Sequence, residues 1–267
     1  LARDERVALV APRVRSGHKP GALAAYERER GPLDLGSEAG RVAAGTRVSY
    51  VPAAVLVCRT SALREIGGFE ESMRYGEDVD LVWRLVEAKH RARYEPGVEV
   101  HHRVRPDLRS WLRQRVRYGS SAAVLAKRHP CALAPVRISC WSATTWALAA
   151  TSTPAGVLGA VTVGAATAGA LVRKLPGVPA RESLRLAISG HWHAGRTLAS
   201  ALSRAWWPIA LVAAFVSKRA RRVAVVALVG PALLEWRTTR PPLDPVRYVG
   251  LRILDDDSIG SERDAAN

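Results

Sequence analysis

Cysteine is scarce in this chain of 267 residues: Cys58, Cys131 and Cys140 are odd in number and widely spaced, with no Cys-x-x-Cys pair. That pattern supports neither a disulfide framework nor a zinc site, and it fits a reducing compartment. The apolar core of a secretory leader is missing. The chain opens on Leu1 rather than Met and continues into the charged run Arg3-Asp4-Glu5-Arg6, which reads as the start of a fragment. No internal repeat is present. Acidic residues are few, 24 against 40 basic ones, giving a net charge of +16 and a pI near 10.9. Such an excess points to an anionic partner: nucleic acid, an anionic membrane face or a phosphorylated substrate. Charge of either sign is absent altogether from residues 138–172.

What is present suffices for a core. Hydrophobic residues make up 48% of the chain, enough for one large domain or two ordinary ones. The first hundred residues alternate strand and helix signals. An apolar run over 7–11 predicts a buried strand ending before Pro12, and residues 20–29 predict a helix with proline at its start. Residues 31–45 predict a loop, and 48–58 one or two strand pieces interrupted at Pro52. Residues 91–94 and 98–102 predict two further strands separated by Pro96-Gly97.

The stretch Gly67-Gly68-Phe69-Glu70 followed by Gly76-Glu77-Asp78-Val79-Asp80-Leu81-Val82-Trp83-Arg84-Leu85 organises the rest. It predicts a glycine turn, a polar loop and a helix whose first turn holds Glu77, Asp78 and Asp80. Carboxylates are favoured there by unsatisfied amides and the helix dipole, so a purely structural role is one reading. Gly67 could simply end a short helix begun by Thr60, or Gly67 and Gly68 could let a sugar approach the backbone closely.

This arrangement resembles the acceptor-side motif of family 2 glycosyltransferases of the GT-A fold. The resemblance implies an α/β fold and Asp78 as catalytic base with Glu77 beside it. It also implies an acceptor site around Gly67, Gly68, Phe69, Asp80 and Trp83, and a nucleotide sugar as donor. An inverting transfer needs one well-placed carboxylate to take the proton of the attacking hydroxyl. His101, at the end of a strand-like run with His102, resembles the histidine that completes a divalent cation site (Mg or Mn) in some GT-A enzymes. A hydrogen-bonding role for the pair is the alternative.

Residues 106–128 predict an amphipathic helix with Leu108, Trp111, Leu112 and Val116 opposite Arg109, Arg113, Arg115 and Arg117, a basic face suited to anionic lipid head groups. Within it, Gln114, Arg117 and Tyr118 resemble the Gln-x-x-Arg-Trp motif of processive family 2 synthases, which contacts the acceptor; Tyr118 stands where the motif has Trp. A lipid-facing arginine stripe explains the same residues.

The uncharged run 138–172 is divided by Pro154 into two pieces near the lower length limit of a membrane span, predicting a hairpin with both basic ends, Arg137 and Arg173-Lys174, in the cytoplasm. A buried helical pair is the competing reading. His191-Trp192-His193 sits in a basic stretch where Trp192 reads as an interface anchor rather than its histidines as metal ligands. Residues 206–216 and 223–234 are apolar pieces too short for comfortable spans, flanking a basic 217–222 tip.

The expected organisation is an acceptor-side part of a GT-A domain over 1–105, an interface helix over 106–135, a membrane hairpin over 136–175, further membrane-associated helices over 176–240 and a peripheral polar tail over 241–267. No Asp-x-Asp donor element occurs before Tyr50. Residues 7–254, most specifically 48–130, resemble the mycofactocin-system glycosyltransferases: Tyr94-Glu95-Pro96, Tyr118-Gly119-Ser120-Ser121 and Arg128-His129-Pro130 belong to that likeness. It implies a glycosyltransferase lacking its donor half, decorating a peptide-derived redox cofactor with glucose on the cytoplasmic side of the membrane. A non-catalytic membrane scaffold is the main rival. A nucleic-acid-binding protein would explain the arginines but not the charge-free run.

Overall fold

The computed structural model describes residues 4–17, 19–130, 132, 136–204 and 206–258, so Cys131 and the polar end of the tail lie outside the described residues. Two compact units result, one from residues 1–134 with 232–267, the other from 135–231.

The first unit is mixed α/β. Its elements up to residue 128 are β1 (Val7–Ser16), α1 (Ala22–Arg30), β2 (Gly40–Val42), β3 (Val57–Cys58), α2 (Thr60–Glu65), α3 (Glu77–Glu87), β4 (Arg91–His102), α4 (Leu108–Gly119) and α5 (Ser121–Arg128). The sheet has the order β2-β4-β1-β3, with β1 and β4 parallel and the two outer pairings antiparallel. Its core joins Leu9 and Ala11 of β1, Ala92 and Tyr94 of β4, Val48 and Val51, the Val79, Leu81, Val82 and Leu85 face of α3, and Leu125 of α5.

β1 continues past Pro12, and the two runs expected around Pro96-Gly97 form one strand. Both differences have one cause. The register jumps from Pro12 opposite Glu95 to Arg13 opposite Glu99, so the extra residues bulge out where a proline cannot donate to the ladder. Within the expected loop 31–45, β2 adds an antiparallel edge to β4.

The predicted helix over 106–128 is two helices meeting at Gly119-Ser120. Asp107 caps the first, accepting from the Ser110 amide at 2.8 Å. Arg115 departs from the expected basic face: it is fully buried, while Val116, expected inside, is 60% exposed. Trp111 and Arg115 share one face at the i, i+4 spacing, and Glu27 of α1 receives both, from the indole Nε1 at 2.8 Å and the guanidinium at 3.0 Å.

The second unit is helical: α6 (Cys140–Ala150), α7 (Pro154–Lys174), α8 (Ala180–Arg204), α9 (Trp207–Val216) and the first part of α10 (Lys218–Thr239). Ser139 and Thr153 cap α6 and α7, accepting from the amides of Ser142 and Gly156, both at 3.1 Å, and Pro154 opens α7 where its missing N–H costs nothing. α6 and α7 form a helical pair where the sequence predicts a hairpin, but α6, with 11 residues, is too short to span a bilayer. α7 has a mean hydropathy of 1.8 with 17% of that window buried, and by length and composition it is long and apolar enough to cross a membrane. The residues expected as a basic loop form α8. There His191 turns toward α6, its Nδ1 3.1 Å from the Ser142 hydroxyl and its carbonyl accepting from Trp146, while Trp192 is 46% exposed.

The chain then returns to the first unit through the end of α10 and a last helix, α11 (Pro245–Ser258). Residues 245–258 are therefore not a peripheral tail. Tyr248 is fully buried against Tyr26 and Trp111, and Asp255 and Asp256 are buried as well.

Candidate functional site

Helix α3 positions the central acids. Gly76 precedes it in the left-handed region at φ 79°, and a side chain there would lie 2.8 Å from Ser121 Cβ, so glycine is needed both for the turn and for the approach of α5. Asp78 is half-buried. Its Oδ2 accepts from the Ala53 amide at 3.0 Å and its Oδ1 from the Val79 amide at 2.9 Å. The carboxylate therefore ties the 50–56 segment to the start of α3. Burial raises its pKa; the Ala53 amide opposes that and the neighbouring Glu77 charge adds to it. A carboxylate held by two amides, with acceptor capacity left over and its proton affinity raised, suits a general base.

Asp80 does something else. It is fully buried, with Oδ2 2.7 Å from Arg84 Nε, and Oδ1 2.7 Å from Arg128 Nε and 3.0 Å from His129 Nε2. Burial alone would raise its pKa, but hydrogen bonds from Arg128, His129 and Arg84 outweigh it and hold the carboxyl below the usual range. With both oxygens engaged and no exposure, Asp80 cannot be an acceptor contact; it is a structural hub. Arg84 extends the hub, donating to the carbonyls of Ile66 at 2.6 Å and Gly68 at 2.7 Å. Thus one buried carboxylate ties the glycine turn, α3 and the end of α5 together.

Trp83 is likewise not available to an acceptor. It is 3% exposed, its Nε1 donates to the Ser49 carbonyl at 2.8 Å, and its ring packs edge-on against His129 at 5.2 Å. Gly67 and Gly68 do adopt positive φ, 79° and 75°, with open space where side chains would project, and Phe69 beside them is 43% exposed. These three keep a surface a ligand could use.

Gln114 and Tyr118 form a pair on α4: the Gln114 amide donates to the phenol oxygen at 2.7 Å and accepts from Arg105 at 3.3 Å, while Arg117 is exposed. Gln114 also lines a shallow open cleft, with room for little more than a water molecule, together with Arg15, Glu27, His102 and Arg103. Asp78, Glu77 and the glycine turn are not part of that cleft, so the sequence-predicted residues fall into two groups rather than one.

His101 lies exposed near the end of β4. Among the described residues no three His, Cys, Asp or Glu side chains gather closely enough to hold a metal ion. His101, His191 and His193 therefore belong to no such cluster among the described residues.

Several contributors were not foreseen as parts of the site: the Ala53 amide, Arg84 and His129. The Asp80 and Arg84 spacing of four on a helix was a usable signal. His129 stood out only within the Arg128-His129-Pro130 likeness, and nothing linked it to Asp80, 49 residues away.

Comparison with known proteins agrees with the motif. The model of the family described as glycosyl transferase family group 2 matches residues 34–234. Two curated relatives, both named pre-mycofactocin glycosyltransferase and from two strains of Mycobacterium tuberculosis, are each 41% identical over 270 residues. The alignment covers 97% of this chain and 57% of each relative, so the chain spans a little over half the length of the curated relatives it matches. No solved structure matches. A match over most of the chain, coinciding with the Glu77-Asp78 helix start, identifies the chain as a member of glycosyl transferase family group 2.

Proposed function

We propose that this chain carries the acceptor side of an inverting glycosyltransferase. It moves glucose from a nucleoside-diphosphate sugar to a hydroxyl of a peptide-derived acceptor, of the kind named by its relatives, pre-mycofactocin. The observation that carries this reading is the Asp78 carboxylate, half-buried at the start of α3 and fixed by the Ala53 and Val79 amides. As the acceptor oxygen bonds to the anomeric carbon, the bond from that carbon to the diphosphate breaks from the opposite face and the hydroxyl proton passes to Asp78. Pre-setting the base in one orientation removes much of the entropic cost of that encounter. Gly67, Gly68 and Phe69 offer the adjoining surface, and Gln114, Arg117 and Tyr118 a second acceptor contact.

The reading includes a membrane location, with α7 as span, Arg109 and Arg113 facing anionic lipid on the cytoplasmic side, and the first unit in the cytoplasm. The family match and the names of the relatives support the chemistry; the charge-free run and the exposed apolar faces of α7 and α9 support the location.

The test is transfer of labelled glucose from UDP-glucose to pre-mycofactocin by detergent-solubilised protein, with Asp78→Asn in parallel. Loss of a positioned general base is expected to slow turnover by roughly 10²–10⁴-fold. Undiminished turnover by the asparagine variant would remove Asp78 from the mechanism. Binding of the acceptor without any transfer would favour the scaffold reading.

A further inference from the structure

The family match ends at residue 234, yet α11 beyond it delivers Asp255 into the first unit. Asp255 is 2% exposed, and its Oδ1 lies 3.0 Å from Nε of the fully buried Arg115, while its Oδ2 accepts from the Tyr26 phenol at 2.7 Å. Arg115 is held on its other side by Glu27 at 3.0 Å and stacks over the Trp111 ring at 5.0 Å. The Arg115–Asp255 contact is an ion pair rather than a hydrogen bond, and it sets carboxylates of two different helices against one buried guanidinium, which restricts how that side chain can turn.

The geometry points to Asp255 as a positioning residue for the acceptor face of α4. Gln114 precedes Arg115 by one position, and Glu27, which accepts from Trp111 and Arg115, lines the same cleft as Gln114. Pinning Arg115 between Glu27 and Asp255 fixes the angle at which α4 presents Gln114, and through it Tyr118, to that cleft. Without Asp255, Arg115 keeps only one of its two carboxylates. A buried cation then lacks half its compensation, and α4 turns to find water. Asp78, held at the start of α3 by the Ala53 and Val79 amides, does not depend on this pair. The functional half of the inference rests on the acceptor-side reading of Gln114 and Tyr118; the structural half does not.

The test compares wild type, Asp255→Asn, Asp255→Glu and the milder Tyr26→Phe in the whole chain. Backbone hydrogen exchange is read over residues 108–119, with residues 140–174 as internal reference. Transfer from UDP-glucose is titrated against pre-mycofactocin. Asp255→Asn is expected to accelerate exchange in 108–119 at least about tenfold, leave 140–174 unchanged, and raise the acceptor KM by about ten- to a hundredfold with kcat largely kept, because misplacement of a contact costs binding geometry rather than the base. Asp255→Glu restores part of both effects, and Tyr26→Phe shows both in smaller degree. Unchanged exchange over 108–119 in Asp255→Asn and Tyr26→Phe would overturn the inference, as would a fall in kcat at constant KM. If Asp255→Asn unfolds the first unit throughout, Tyr26→Phe decides by the same two readouts. If wild type transfers nothing, the assignment of Gln114 and Tyr118 as acceptor contacts of this chain falls, while the exchange arm still decides whether Asp255 holds α4.

Discussion

Replacing Asp80 by asparagine gives the sharpest stability test, because so much converges on one side chain. The carboxylate is fully buried and takes hydrogen bonds of 2.7 Å from Arg84, 2.7 Å from Arg128 and 3.0 Å from His129. Removing one member of a buried ion pair typically costs about 3–5 kcal/mol, since the partners stay charged without compensation. Asparagine keeps the shape and one acceptor oxygen, which places the expected loss near the lower end, about 3 kcal/mol. At about 2–4 °C per kcal/mol for a unit of this size, the thermal midpoint should fall by about 6–12 °C. The measurement is intrinsic tryptophan fluorescence on heating in detergent, Trp83 lying in van der Waals reach of the hub through His129. Arg84→Gln is the companion. Both changes break the same contact, so the double variant should lose clearly less than the sum, by about 1 kcal/mol or more. A midpoint lowered by under about 2 °C, or strict additivity with Arg84→Gln, would refute the idea of a shared hub.

The pH dependence carries two opposite signs. Burial raises the folded pKa of Asp78, so the acidic limb of transfer activity should fall away above the ordinary aspartate value of about 3.9, and Asp78→Glu should move that limb in a pH profile of kcat/KM. The folded pKa of Asp80 is lowered, so its contribution to stability is full above about 3.9 and is lost as pH falls below that value; acid denaturation of wild type should be steeper there than that of Asp80→Asn. Gly76→Ala should cost about 2 kcal/mol or more, read as a lowered denaturation midpoint, because it forces a left-handed backbone and a contact 2.8 Å from Ser121. Leu158→Lys and Val161→Lys, both on exposed positions of α7, should together reduce recovery in the membrane fraction by about tenfold or more if α7 spans the bilayer.

The strongly periodic pieces of the fold were legible in the sequence. The α3 start, the α1 helix and the uncharged hairpin follow from proline, glycine and charge placement alone, because each is fixed by local rules. Strand limits were less so: Pro12 and Pro96 look like breaks, and only the bulge they share shows why the pairing survives them. At the site, Asp78 and the glycine turn could be picked out by motif. The true roles of Asp80 and Trp83 could not, since a carboxylate in a first helical turn reads the same whether it faces a ligand or an arginine from a distant segment. Arg115 is the clearest case. Helical periodicity placed it on a basic face, and only its partners on α1 and α11 explain why a guanidinium lies buried while Val116 does not.

The first unit is discontinuous in the chain, with residues 135–231 made between its two parts. On the ribosome this imposes a schedule. The β1–β4 pairing and α4 can be complete while Asp255 has yet to be synthesised, and at about 5–20 residues per second that interval is on the order of 10 s. During it Arg115 has Glu27 alone, and the apolar surface later covered by Tyr248 stays open to chaperones and to other nascent chains. Nonsense codons late in the gene would therefore release a product with an intact sheet and an unfinished flank, a form that quality-control proteases should recognise far more readily than the finished protein.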